Sequence, residues 1–109
     1  MNFNEYQKIA RTTAMYPDIG KSINYPIIGL CGETGEIAEK YKKVLRDDNG
    51  IISPEIKYAM VLELGDILWY IANIAKELDV DLEMVARNNV DKLTSRVDRN
   101  MIAGSGDYR

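Results

Sequence analysis

Four carboxylates in two short runs are the residues of this 109-residue chain best suited to chemistry. Glu33-Thr34-Gly35-Glu36 and Glu63-Leu64-Gly65-Asp66 share one spacing, acid-x-Gly-acid. On a helix, positions i and i+3 are neighbours, so each run sets two carboxylates about a turn apart on one face. Like charges this close repel, and doing so twice beside apolar stripes destabilises a fold unless cations neutralise them. If the two helices pack antiparallel, the four acids meet in one cluster. Oxygen donors of this kind suit hard divalent cations, Mg²⁺ first and Mn²⁺ as a substitute. The glycines at 35 and 65 each cost a helix roughly 1 kcal/mol relative to alanine, and each permits close approach of a helix or ligand.

Much other chemistry is excluded. Histidine is absent, which removes Ser/His/Asp triads, Cys/His dyads and His-ligated zinc together. The single cysteine, Cys31, can form no internal disulfide and reads as a small core residue. A net charge of −3 and a pI near 4.9 argue against a nucleic-acid polymer as partner. A composition 46% hydrophobic and 28% charged is that of a globular protein, and no apolar run approaches the roughly 18 residues of a membrane span. The opening residues lack an export signal, so a cytoplasmic location is expected.

The elements that must position the acids read as an all-α, four-to-five-helix bundle. Few prolines and glycines interrupt the chain, and they fall at segment ends. The first helix is expected from Asn4, as N-cap, to Met15, followed by a loop over Lys21–Pro26. The second should run from Ile27 to Arg46 and stop at Asp47-Asp48-Asn49-Gly50. Lys40 and Lys43 continue the edge on which Glu33 and Glu36 lie. Ser53, Pro54 and Glu55 open the third helix, which should reach Leu78. Its apolar residues occupy two sides, Ile56 to Leu78 on one and Leu62, Trp69 and Ala72 on the other, so an obligate homo-oligomer is expected. The fourth helix should follow Asp81 and end near Arg99, with Leu82, Val85, Leu93 and Val97 inward and Asn89 among them. A buried amide without a partner costs about 1–3 kcal/mol, so Asn89 should bind either a ligand or a neighbouring helix. Lys92 and Arg96 share its edge. Residues 1–100 form the domain, and 101–109 a flexible C-terminal tail.

These residues carry a resemblance. Gly32 to Glu39, Glu63 to Tyr70 and Asn89 to Arg96 resemble the MazG-like branch of the all-α nucleoside triphosphate pyrophosphohydrolases, whose mark is Glu-x-x-Glu, a spacer, then Glu-x-x-Asp. The 26 residues between Glu36 and Glu63 fit that spacer. Glu5-Tyr6-Gln7 and Thr13 to Pro17 resemble the family's opening helix, so the likeness runs from residue 4 to 99. It implies hydrolysis of a nucleoside triphosphate, in particular a deoxynucleotide, to the monophosphate and pyrophosphate. It also implies that Glu33, Glu36, Glu63 and Asp66 ligate Mg²⁺ and that Asn89, Lys92 and Arg96 contact the nucleotide. Lys40 and Lys43 are further candidates to steady the pyrophosphate, Lys43 in a catalytic role. Some relatives carry an additional glutamate where this chain has Gly32, which leaves Glu36, Glu33 or a metal-bound hydroxide as the base. Family members commonly complete the site across a subunit boundary, so a homodimer or homotetramer is expected.

The competing account of the acids is a solvated helix face with pairs such as Glu36 to Lys40. Trp69, Tyr70 and Tyr41 read as core or interface, Tyr25 and Phe3 as possible base contacts, and the stretch from Tyr16 to Pro26 as the source of base selectivity. A non-catalytic helical module that binds nucleotide or assembles with a partner is the alternative function.

Overall fold

A cap set two residues earlier than expected starts the first helix. In the computed structural model, which describes residues 1–109, Asn2 accepts the Glu5 amide N–H at 2.8 Å, and α1 covers Phe3–Thr12. Asn4, the expected cap, lies inside α1, and the helix stops short of Met15. Thr12 and Thr13 end it by donating their hydroxyls to the carbonyls of Ile9 and Ala10, a local bond that competes with helix continuation. The α2 helix covers Asn24–Asp47, so it takes in half of the expected loop. Pro26 sits in its first turn, where a missing amide hydrogen costs nothing. At the other end Gly50, with φ of 77°, turns its N–H back onto the Val44 carbonyl.

The α3 helix, Pro54–Glu77, begins as expected: the Ser53 hydroxyl accepts the Ile56 N–H at 3.2 Å and proline fills the first position. It is also long and apolar enough to cross a bilayer, which the sequence reading had denied for every segment. Here it is the central helix instead. It packs along α2 on one side and α1 on another, and touches α4 at its end, while α2 meets neither α1 nor α4. Ala10, Ala72 and Leu82 form the buried centre, with Tyr6, Trp69 and Ile71 packed against it. Small residues at 10 and 72 let α1 and α3 approach closely.

The α4 helix, Leu82–Asp98, is capped from a distance. Asp81 stands at the N-cap but its side chain makes no capping bond. Gln7 and Asn4 on α1 accept the N–H groups of Leu82 and Glu83 at 3.0 Å each. Buried Gln7 also donates its amide to the carbonyls of Ala72 and Val80, tying three helices together. Residues 101–109 turn back on α4 through contacts described below.

This arrangement leaves much apolar surface open. The chain exposes 7953 Å², against roughly 6,100 Å² for a compact monomer of its mass. Its radius of gyration is 16.8 Å, where about 13 Å is ordinary for this length. Leu64, Val85, Leu93 and Val97, expected on inward-facing stripes, are exposed within one chain. Cys31 is exposed as well, against the expectation of a core thiol.

Candidate metal centre

The antiparallel packing of α2 on α3 fixes which side chains meet. Gly29 lies against Tyr70, Glu33 beside Asp66 and Glu63, and Lys40 beside Glu63, so numbering rises along one helix as it falls along the other. Glu33, Glu63 and Asp66 each bring a carboxylate oxygen within 4.8 Å of the others. Burial first, then a hydrogen bond with Glu63 and the charges of Asp66, Glu63 and Glu36, holds the Glu33 carboxyl above its ordinary value. Three carboxylates in one place are therefore under electrostatic stress that a divalent cation would relieve. Oxygen-only donors at this spacing fit Mg²⁺ or Mn²⁺.

Glu36 is exposed and stands outside the trio, although its charge reaches Glu33. Lys40 forms an ion pair with Glu63 at 3.2 Å and joins the cluster from the α2 side. The Glu36 to Lys40 pair of the competing solvated-face account is replaced by this interhelical bond. Lys43 does not join the site. It is exposed, seven residues beyond exposed Glu36 on the same outward edge of α2, and its charge acts on Glu39 and Asp47.

Aromatic side chains wall the cluster, and the sequence reading had not assigned them there. The Tyr70 phenol is raised by burial, then by Tyr25, Glu33 and Asp66, which sets it next to the acids. Tyr6 is raised by burial and then by Asp66. Tyr70 lies four residues after Asp66 and Gly29 four before Glu33, so a shared helix face was the available signal. A Cβ on Gly29 would enter the Tyr70 ring. Behind this wall Trp69 packs edge-on against Tyr70 with centroids 5.0 Å apart, and Tyr16 stacks on Tyr25 at 5.4 Å. Gly35 and Gly65, by contrast, face open space within the chain, so nothing in it uses the close approach they permit.

The α4 residues are not brought to the acids by this one chain. Asn89 is exposed, contrary to the expected buried amide, because no helix of the same chain packs on the middle of α4. Lys92 and Arg96 lie on α4 and engage the C-terminal segment instead. A cavity of about 620 Å³ also lies elsewhere, between α1 and the α3–α4 turn, lined by Asn4, Lys8, Lys76 and Asp79 among others. The buried Glu77 nearby is satisfied by Arg11 and the Gly20 N–H. The acidic trio thus has two walls and an open side.

Comparison with known proteins follows the same lines. A family model described as the MazG nucleotide pyrophosphohydrolase domain matches residues 25–100, from the first turn of α2 to just past α4. The Gene 37 protein of Mycobacterium phage L5 is 46% identical over an alignment of 114 residues that covers 100% of both chains. No solved structure matches.

Proposed function

Because the chain belongs to the MazG nucleotide pyrophosphohydrolase family, we propose that it hydrolyses nucleoside triphosphates, deoxynucleotides in particular, to the monophosphate and pyrophosphate in a Mg²⁺-dependent reaction. The observation that carries this reading is the meeting of Glu33, Glu63 and Asp66 within 4.8 Å across α2 and α3. Glu33, Glu63 and Asp66 would hold a divalent cation, which when bound would supply charge neutralisation for the polyphosphate and polarise its phosphoryl oxygens. Glu36, one turn beyond Glu33 and free of the trio, completes the acidic set and is the carboxylate available to take the proton of the attacking water. Water adds to the α-phosphorus as the bond to the β-phosphate oxygen breaks, and pyrophosphate leaves. Lys40, now paired with Glu63, would be available to the phosphates were a cation to take its place on that carboxylate. Asn89, Lys92 and Arg96 supply the remaining contacts to the nucleotide.

Within one chain α2 and α4 do not touch, so these contacts need α4 of a second copy. The excess exposed surface supports a homodimer or homotetramer that closes the open side of the acidic trio. Pyrophosphate release from a panel of nucleoside triphosphates, with Mg²⁺ omitted and restored, tests the reading. Metal-dependent release from at least one deoxynucleotide is expected. Binding without release from any triphosphate would instead leave a non-catalytic nucleotide-binding module.

A further inference from the structure

We propose that the C-terminal segment regulates substrate entry, the Asp107 carboxylate occupying Lys92 and Arg96 until a polyphosphate displaces it. The proposal rests on the phosphate-binding role given above to those two cations. After α4 the chain reverses through Asn100, Gly104 and Gly106, all at positive φ, where glycine moves without strain. Arg109 closes the segment on itself by donating to the carbonyls of Met101, Ile102 and Gly106. That closure presents Asp107 to the edge of α4.

There one carboxylate oxygen takes both cations. Asp107 Oδ1 is 3.0 Å from the Lys92 ammonium and 3.4 Å from Arg96 Nη2. Arg96 Nη2 also donates to the backbone carbonyls of Gly106 and Asp107 at 3.2 and 3.0 Å. Arg96 is only 5% exposed under this cover, and its Nε–H is buried with no acceptor. A guanidinium so covered cannot reach an incoming phosphate until the segment lifts. Lys92 and Arg96 lie four residues apart on one helix face, so an oxyanion bridging them matches the way a phosphate would be held.

The cover is weak enough to yield. Asp107 is 76% exposed, and an ion pair in that setting contributes little and is screened by salt. A polyphosphate offers several charges to the same two cations and replaces a single carboxylate. The segment therefore raises the substrate concentration at which the site fills without altering turnover once it is full.

Binding of inorganic tripolyphosphate in the presence of Mg²⁺, measured by calorimetry on the full chain and on Asp107→Asn, reads this directly. Affinity should tighten about threefold in the variant at low salt, and the difference should vanish near about 0.5 M NaCl. The KM for a hydrolysed deoxynucleotide should fall by the same factor with kcat unchanged. Unchanged affinity overturns the proposal. Weakened affinity overturns it too, since Asp107 would then merely order Arg96, and absence of binding by either protein removes the anion site altogether. Tripolyphosphate binding with the expected difference but no pyrophosphate release would sustain the covering segment while sinking the hydrolase reading.

Discussion

The Lys40 ammonium lies 3.2 Å from the Glu63 carboxylate, so one of the three clustered acids is already paired with a cation supplied by the neighbouring helix. Lys40 is thereby a competitor of any metal at that oxygen. Lys40→Met is expected to tighten Mg²⁺ or Mn²⁺ binding severalfold when no nucleotide is present, and to raise KM for the triphosphate when one is. Metal titration followed by substrate kinetics checks both halves.

Divalent cations and protons compete for Glu33. Its carboxyl titrates above the ordinary value because it is half-buried and close to the charges of Asp66, Glu63 and Glu36, so folding holds that proton more firmly than the unfolded chain does. In metal-free protein this contributes stability at low pH, which is lost as pH rises through the raised titration. Added Mg²⁺ displaces the proton and supplies the missing charge. Thermal melts should therefore show a Mg²⁺-dependent rise in Tm that grows with pH across the weakly acidic range, with proton release on binding.

How much of this was legible in the sequence follows from the range of each interaction. The Ser53-Pro54-Glu55 start of α3 depends on neighbours three or four residues away and stands where the pattern puts it, and of the two acid pairs Glu33, Glu63 and Asp66 meet while Glu36 stays exposed outside them. The start of α4 was placed correctly, yet its capping groups, Gln7 and Asn4, come from 75 and 79 residues away. No local pattern reports such a bond. Asn89 and Cys31 were misplaced because periodicity shows that a face is apolar without showing what covers it. Lys43 follows Glu36 along one edge of α2, but that edge is exposed and turned from the trio, so Lys43 acts on Glu39 and Asp47; periodicity gives the edge and not what faces it. Asp107 lay in a segment whose composition suggested only a tail.

Two glycines of α2 should respond oppositely to the same change. Gly29→Ala forces a Cβ into the Tyr70 ring and should destabilise the protein by about 1–3 kcal/mol, as overpacking does. Gly32→Ala meets nothing and should stabilise it by up to about 1 kcal/mol through helix propensity. Urea unfolding of the two variants beside the parent checks the contrast.

The exposed apolar surface makes a prediction about assembly. Tyr58, Leu62 and Val61 on α3 are more than half exposed in a single chain. Sedimentation equilibrium should give a dimer or tetramer, and Leu62→Glu should shift it toward monomer and lower activity together, since isolated chains cannot bring α4 to the acids. A monomeric parent would contradict the assembly.

Pyrophosphate release by the parent protein beside Glu33→Gln on α2 and Asp66→Asn on α3, all with saturating Mg²⁺ and with helicity checked by circular dichroism, tests the central claim most directly. A metal-dependent rate in the parent that falls by about a hundredfold or more in both folded variants is predicted, as expected when carboxylates that hold the charge-neutralising cation are lost. Release undiminished in the variants would contradict the claim that acids from α2 and α3 jointly hold the cation.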